Sequence, residues 1–236
     1  MELLVVIAIV AILVSLLLPA FSRAKAKAHG TACASNQRQL MLACLLYSGD
    51  HGDAFPNNYG DVETRRTVAQ GQFLNWVNNV LSWELDPDNT NRAWVTAGGL
   101  GPYVGGMVDA FRCPSDVVLS DLQKGAGWKE RVRSISMNAL VGDAGEFSRS
   151  GANVNAPAYR QFFKTTHIPQ PARIFVFIEE HPDSVDDGYF LNNPYKPEWH
   201  DLPASYHNGS ANLVFADGHV ESRRWVNAGT RPPARP

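Results

Sequence analysis

The sequence predicts an α+β protein in which a long N-terminal helix, half transmembrane and half amphipathic, packs on an antiparallel β-sheet domain with long loops. Three observations predict it. From Leu3 to Leu18 every residue is Leu, Val, Ile or Ala except Ser15. Past Pro19 the apolar residues thin out and recur at helical spacing as far as Ser48. Beyond about residue 50 the chain is rich in Gly, Pro, Asn and Trp, with short apolar runs between turn signals, the pattern of short strands and loops. With 236 residues, 44% of them apolar, the chain can bury a real core, and wholesale disorder is excluded. A formal net charge of -2 gives no basic field, so nucleic acid is not an expected partner.

The first segment, residues 1–21, is long enough to cross most of a bilayer core of ~30 Å at ~1.5 Å per residue. The lipid bilayer is therefore an expected partner. A cleaved secretory signal is the main rival, but such signals open with positive charge, whereas this segment opens with Glu2. A buried core helix is a third reading, opposed by the lack of any polar face. Pro19 has no amide donor and is expected to kink the helix near the membrane exit.

Residues 22–48 form the amphipathic half. Arg23, Lys25 and Lys27 alternate with Ala24, Ala26 and Ala28, which keep helix propensity high. Leu40, Cys44 and Tyr47, flanked by Met41 and Leu45, fall three and four apart and mark the face expected to pack on the domain. Gly49, Asp50, Gly52 and Pro56 end the helix. Taken alone, the three basic residues would leave the C-terminal domain in the cytoplasm by the positive-inside rule.

The domain proper covers residues 49–229. Its Asn-rich stretch from 55 to 110 has no clear period, and one helix is expected near Phe73 to Trp83. Arg173 to Ile178 is the best buried strand, expected to pair beside a terminal β-hairpin spanning 211–226. In that hairpin Asn212 to Ala216 is one strand, Asp217-Gly218 the tight turn, and the chain from His219 the return. Leu213 and Phe215 should face one side, Asn212 and Val214 the other. The tail 230–236, with three prolines, is expected to be disordered.

The run Glu2-Leu3-Leu4-Val5-Val6-Ile7-Ala8-Ile9-Val10-Ala11-Ile12-Leu13, with Leu18-Pro19-Ala20 and the basic residues after it, closely resembles the N-terminal helix of type IV prepilins and type II secretion pseudopilins. His207, nine residues, then Asp217-Gly218 resembles the H-X9-DG segment that ends a large group of prepilin-like proteins common in planctomycete and verrucomicrobial proteomes. Shorter blocks such as Cys113-Pro114-Ser115-Asp116 and Ser134-Ile135-Ser136-Met137-Asn138 look like that group as well. The resemblance implies a single-pass inner-membrane anchor, a body facing the periplasm or cell exterior, and other pilin-like subunits as partners in a filament or secretion system. It implies that Glu2 pairs with a neighbouring subunit's N-terminal amine and sets axial register. A plain alternative is that Glu2 is a polar residue at a helix start, favourable to the helix dipole. Family members carry a basic leader and a cleavage-site glycine, whose removal precedes N-methylation; here Met1 stands directly before Glu2.

No catalytic residue is expected and the chain does not read as an enzyme: nucleophile-elbow, phosphate-loop and dinucleotide patterns are absent from the sequence. No cofactor is expected; a structural divalent metal, and a metal-dependent enzyme built around His207 and Asp217, are the least favoured alternatives. His207, Asp217, His219, Glu180 and His181 are of metal-ligating type, but their spacing matches no known site. The plainer reading is that His207 and Asp217 pin loop backbone. Three cysteines are too few for a disulfide scaffold, and Cys33 with Cys113 is the pair expected to bridge in an oxidising compartment, while Cys44 reads as a buried thiol. Trp76, Trp83, Trp94 and Trp199 suggest a sugar-binding groove as a minority reading, core aromatics being commoner.

Overall fold

The computed structural model describes residues 2–193, 196 and 198–236, and the backbone alone for Glu2 and Ala8. The expected assembly role of the Glu2 side chain therefore lies outside the described residues. One helix, α1 (Glu2–Asp50), runs unbroken for 49 residues through Pro19. Its described side chains from Leu3 to Lys25 are all exposed, and among the described residues it is the one helix long and apolar enough to cross a membrane.

From Gly30 onward α1 becomes part of the domain. Cys33, Gln37, Leu40, Cys44 and Ser48 are buried and recur every three or four residues, which sets one stripe against the body. Met41 and Ala43 join that stripe, while Leu42, Leu45 and Leu46 remain on the open side; Leu45 thus flanks the packed face without being covered. The helix ends where Gly52 and Asp53 take left-handed backbone angles (φ +61° and +68°) and the Asp53 amide returns to the Ser48 carbonyl at 2.8 Å.

The sheet contains β1 (Ile135–Asn138), β2 (Phe175–Glu179), β3 (Tyr189–Phe190), β4 (Ser210–Phe215) and β5 (Val220–Arg224), in the order β3-β1-β2-β4-β5. The α+β architecture is as the sequence predicts, with one difference. β3 pairs parallel to β1, so the sheet is mixed and not wholly antiparallel. After β2 the chain stands at the end where β1 begins, crosses to the far edge, and starts β3 from that same end.

The predicted buried strand is β2, and it pairs with β4 of the terminal hairpin. Val214 packs toward α1 while Leu213 and Phe215 face the other side, so the predicted alternation holds. A bulge between Phe175 and Phe177 reverses the facing within β2, placing Phe175 outside and Val176 and Phe177 in the core. The hairpin turn rests on Gly218, whose φ of +89° suits glycine.

Two expectations fail. Residues 73–83 are not helical; the helices near them are α2 (Asp61–Ala69) and the short α3 (Arg92–Thr96). A third short helix, α4 (Asp121–Gly125), carries a full capping box from Ser120 and Gln123. Asparagine side chains replace the helical ladder in the 73–83 stretch. Asn75 Oδ1 accepts from the Tyr59 and Trp76 amides, and Asn78 Oδ1 accepts from the Asn75 amide. The proline-rich tail is also docked and not loose: Trp199 Nε1 donates to Thr230 Oγ1, His181 Nε2 donates to the Pro232 carbonyl, and the Arg235 amide donates to Asp183.

Trp76 is fully buried in the main core between Phe111 and Phe177, and its Nε1 donates to the Gly188 carbonyl at 3.2 Å. Trp83 lies under the Arg131 guanidinium. Of the tryptophans considered for a sugar groove, Trp199 alone sits on the aromatic outer face of the sheet, with Trp225 edge-on at 5.8 Å.

Candidate functional site

The most concentrated chemistry lies where α1 meets the sheet. Gly30 brings the helix against His207, since a Cβ on Gly30 would stand 3.2 Å from His207 Cγ. Asn212 Nδ2 donates to the Gly30 carbonyl at 2.9 Å and Gln37 Nε2 donates to the Asn212 carbonyl at 3.0 Å. Cys33 lies between those two anchors, one turn from each, and is therefore aimed at the sheet.

Three other segments converge on it. Asn208 and Gly209, both at positive φ, turn the chain into β4 and hold His207 just before the strand. Glu179 is the last residue of β2, and its Oε2 accepts from the Asn212 amide of β4 at 2.5 Å. Cys113 sits in a turn closed by the Asp116 amide to the Cys113 carbonyl. That turn is fastened to α1 by Asn36 Nδ2, which donates to the carbonyls of Asp109 and Arg112.

The result is four buried groups, Cys33, Cys113, Glu179 and His207, whose ligating atoms all lie within 4.8 Å of one another. His207 Nε2 is 2.7 Å from Glu179 Oε1 and 3.4 Å from Cys113 Sγ, and the Ser115 amide donates to that sulfur at 3.4 Å. Burial alone would depress the imidazolium, but its bonds to Cys113 and Glu179 outweigh that and raise His207 to about 10. Burial raises Cys33, with the Cys113 bond adding to it; in Cys113 the bonds from Cys33 and His207 overcome burial and lower it. His207 Nδ1 is buried without a hydrogen-bond partner. His207 also borders a groove of about 550 Å³ between α1 and β5, whose rim includes Arg23, Lys27 and Arg38.

Of the ligand-type residues singled out in the sequence, only His207 joins this cluster. Asp217 and His219 pair with each other at the exposed hairpin tip, and the His219 ring stacks on Phe215 at 4.4 Å. His207 precedes β4 and Asp217-Gly218 follows it, so the nine-residue interval is the length of one strand with its flanking turns and not the spacing of a site. Glu180 is buried beside Arg133, burial and then the Asp201 carboxylate raising its pKa well above the ordinary range. His181 is engaged with the C-terminal tail. Asp50 accepts from the Tyr103 hydroxyl and Asn58 Nδ2 donates to the Asn138 carbonyl, so both serve to fix loops.

Cys33 and Cys113 do come together, as the pairing expectation required, but as free thiols. Cys44 is likewise free and fully buried, with burial raising its pKa. Sequence reasoning missed Glu179. Its signal was position: a carboxylate ending the most apolar strand must find a buried partner.

No curated protein and no solved structure matches this chain. A family model described as a protein of unknown function, DUF1559 (SBP_bac_10), matches residues 22–194, roughly three quarters of the chain. That span holds Cys33, Cys113 and Glu179 and stops short of His207. The chain belongs to the DUF1559 family.

Proposed function

We propose that this chain is a pilin-like structural subunit or accessory of a type II secretion or type IV pilus-like assembly, anchored in the inner membrane with its body outside the cytoplasm. The observation that carries the reading is the division of labour along α1. One unbroken helix offers an exposed apolar half and buries one face of its other half as a core element of the body. A cleaved signal sequence has no need to be continuous with the core, whereas an anchor that also positions subunits does. Leu42, Leu45 and Leu46, exposed on the open side of the packed half, extend the apolar surface beyond the stem and suit helix-to-helix contact between subunits. In this reading the chain is not an enzyme: its chemistry-bearing cluster is buried at a structural junction.

The test is Glu2→Ala in the full chain. Membrane insertion, scored by carbonate extraction, should persist, while cross-linking into higher assemblies should fall. Unchanged assembly overturns the proposed role of Glu2, and body residues that protease cannot reach in spheroplasts overturn the topology. A second reading, an anchored module that binds carbohydrate or another envelope component, draws on the outer aromatic face with Phe175, Phe190, Trp199 and Trp225. Glycan binding lost on Trp225→Ala would favour it.

A further inference from the structure

The cluster at the helix–sheet junction has the composition and shape of a metal site. Two thiols, one imidazole and one carboxylate are all zinc-ligand types, and four protein ligands with no open position is the usual form of a structural zinc centre. Each comes from a different part of the fold: Cys33 from α1, Cys113 from a turn, Glu179 from β2 and His207 from the turn before β4. Hydrophobic packing alone gives no reason for four such groups to share one dry spot, because a buried carboxylate and imidazole are costly there.

The distances fit. Zn–S and Zn–N lengths of about 2.3 and 2.0–2.1 Å set ligand atoms roughly 3.6 Å apart along a tetrahedron's edge, against 3.4 Å between Cys113 Sγ and His207 Nε2. The His207–Glu179 contact of 2.7 Å is a hydrogen bond, and it would open by only roughly 0.6 Å to admit the ion. The outer shell is in place as well. The Asn212 amide fixes Glu179 Oε2, leaving Oε1 aimed inward, and the Ser115 amide donates to the Cys113 sulfur as zinc thiolates commonly require.

We propose that Cys33, Cys113, Glu179 and His207 bind a single zinc ion that staples α1 to the sheet. The two thiol protons and the proton shared by His207 and Glu179 leave as the ion enters, so two thiolates, one carboxylate and a neutral imidazole surround it. The site is separate from the membrane reading above and stands or falls without it.

The experiment uses the full chain in detergent micelles, purified under reducing conditions without chelator. Elemental analysis should find one zinc per chain, and replacement by cobalt should give the intense visible bands and thiolate-to-metal charge transfer of a tetrahedral sulfur site. Glu179→Gln keeps the shape and the bond to the Asn212 amide, so it should fold and yet bind zinc at least about 10-fold more weakly, the lower end of what losing even an outer-shell partner costs. Cys113→Ser should cut the charge-transfer band to about half, Cys33 supplying the remaining thiolate. Absence of zinc even after incubation with the ion, a weak octahedral cobalt spectrum, or a Cys33–Cys113 cross-linked peptide from freshly isolated membranes would each overturn the proposal.

Discussion

Trp76→Ala should come close to unfolding the body of this protein. The indole is fully buried, lies 6.1 Å from the Phe111 ring and 5.2 Å from Phe177, and is hemmed in by glycines. A Cβ on Gly188 would fall 2.7 Å from Trp76 Nε1, and one on Gly98 2.3 Å from the Trp76 carbonyl. Such a site has little freedom to collapse around a void, so truncation should cost the upper part of the ~3–5 kcal/mol typical of a buried aromatic. The Gly188 carbonyl also loses its donor, which adds about 1 kcal/mol when water can enter the new cavity. The sum, about 5–6 kcal/mol, rivals the whole ~5–15 kcal/mol stability of an ordinary domain. Trp76→Phe keeps most of the ring and forfeits the bond, and should cost only about 1–3 kcal/mol. Urea titration in mild detergent, followed by near-UV circular dichroism, separates the two. A Trp76→Ala protein with the wild-type midpoint and an intact near-UV spectrum would refute the placement of this ring at the centre of the core.

Two further outcomes follow from the charged groups. Arg131 and Asp116 are buried together at 3.8 Å, so Arg131→Met should cost ~3–5 kcal/mol by stranding a buried carboxylate. Adding Asp116→Asn should recover much of that in the same urea titration, and equal losses in the single and double variants would deny the pairing. At the hairpin tip the bond to Asp217 raises His219 above its ordinary 6.5, and the His219 bonds outweigh slight burial to lower Asp217 below 3.8. His219 therefore lends stability that is complete below about pH 6.5 and fades as pH rises through its raised value, whereas Asp217's share is lost as pH falls through its lowered one. An NMR titration of Asp217→Asn should find the His219 pKa moved down, with Glu221 holding part of the shift; an unmoved value would remove Asp217 as its cause.

Much of this architecture was legible from local chemistry. The apolar stem, the amphipathic stripe through Leu40 and Cys44, the buried strand through Phe175 to Ile178 and the Asp217-Gly218 turn each depend on period and turn residues alone. The parallel edge strand was not legible, because Tyr189–Phe190 is two residues long and owes its place to the crossover before it. The missed loop at 73–83 failed for a different reason: Asn75 and Asn78 reach backbone amides that a period count treats as helical. The junction cluster was half visible. Cys33 and Cys113 invited pairing, yet nothing local says that the Glu179 carboxylate, 28 residues before His207, lies against its ring.

The continuity of α1 carries a mechanical consequence. Between Phe21, at the end of the apolar run, and Gly30, where the helix first meets His207, the axis advances only about 13 Å through unbroken helix. In the orientation proposed above, a headgroup layer of roughly 5–8 Å occupies much of that interval. The body would then ride close over the lipid on a shaft with no joint. A pull on the body would reach the apolar half along one continuous helix, and a twist of either end would turn the other with it.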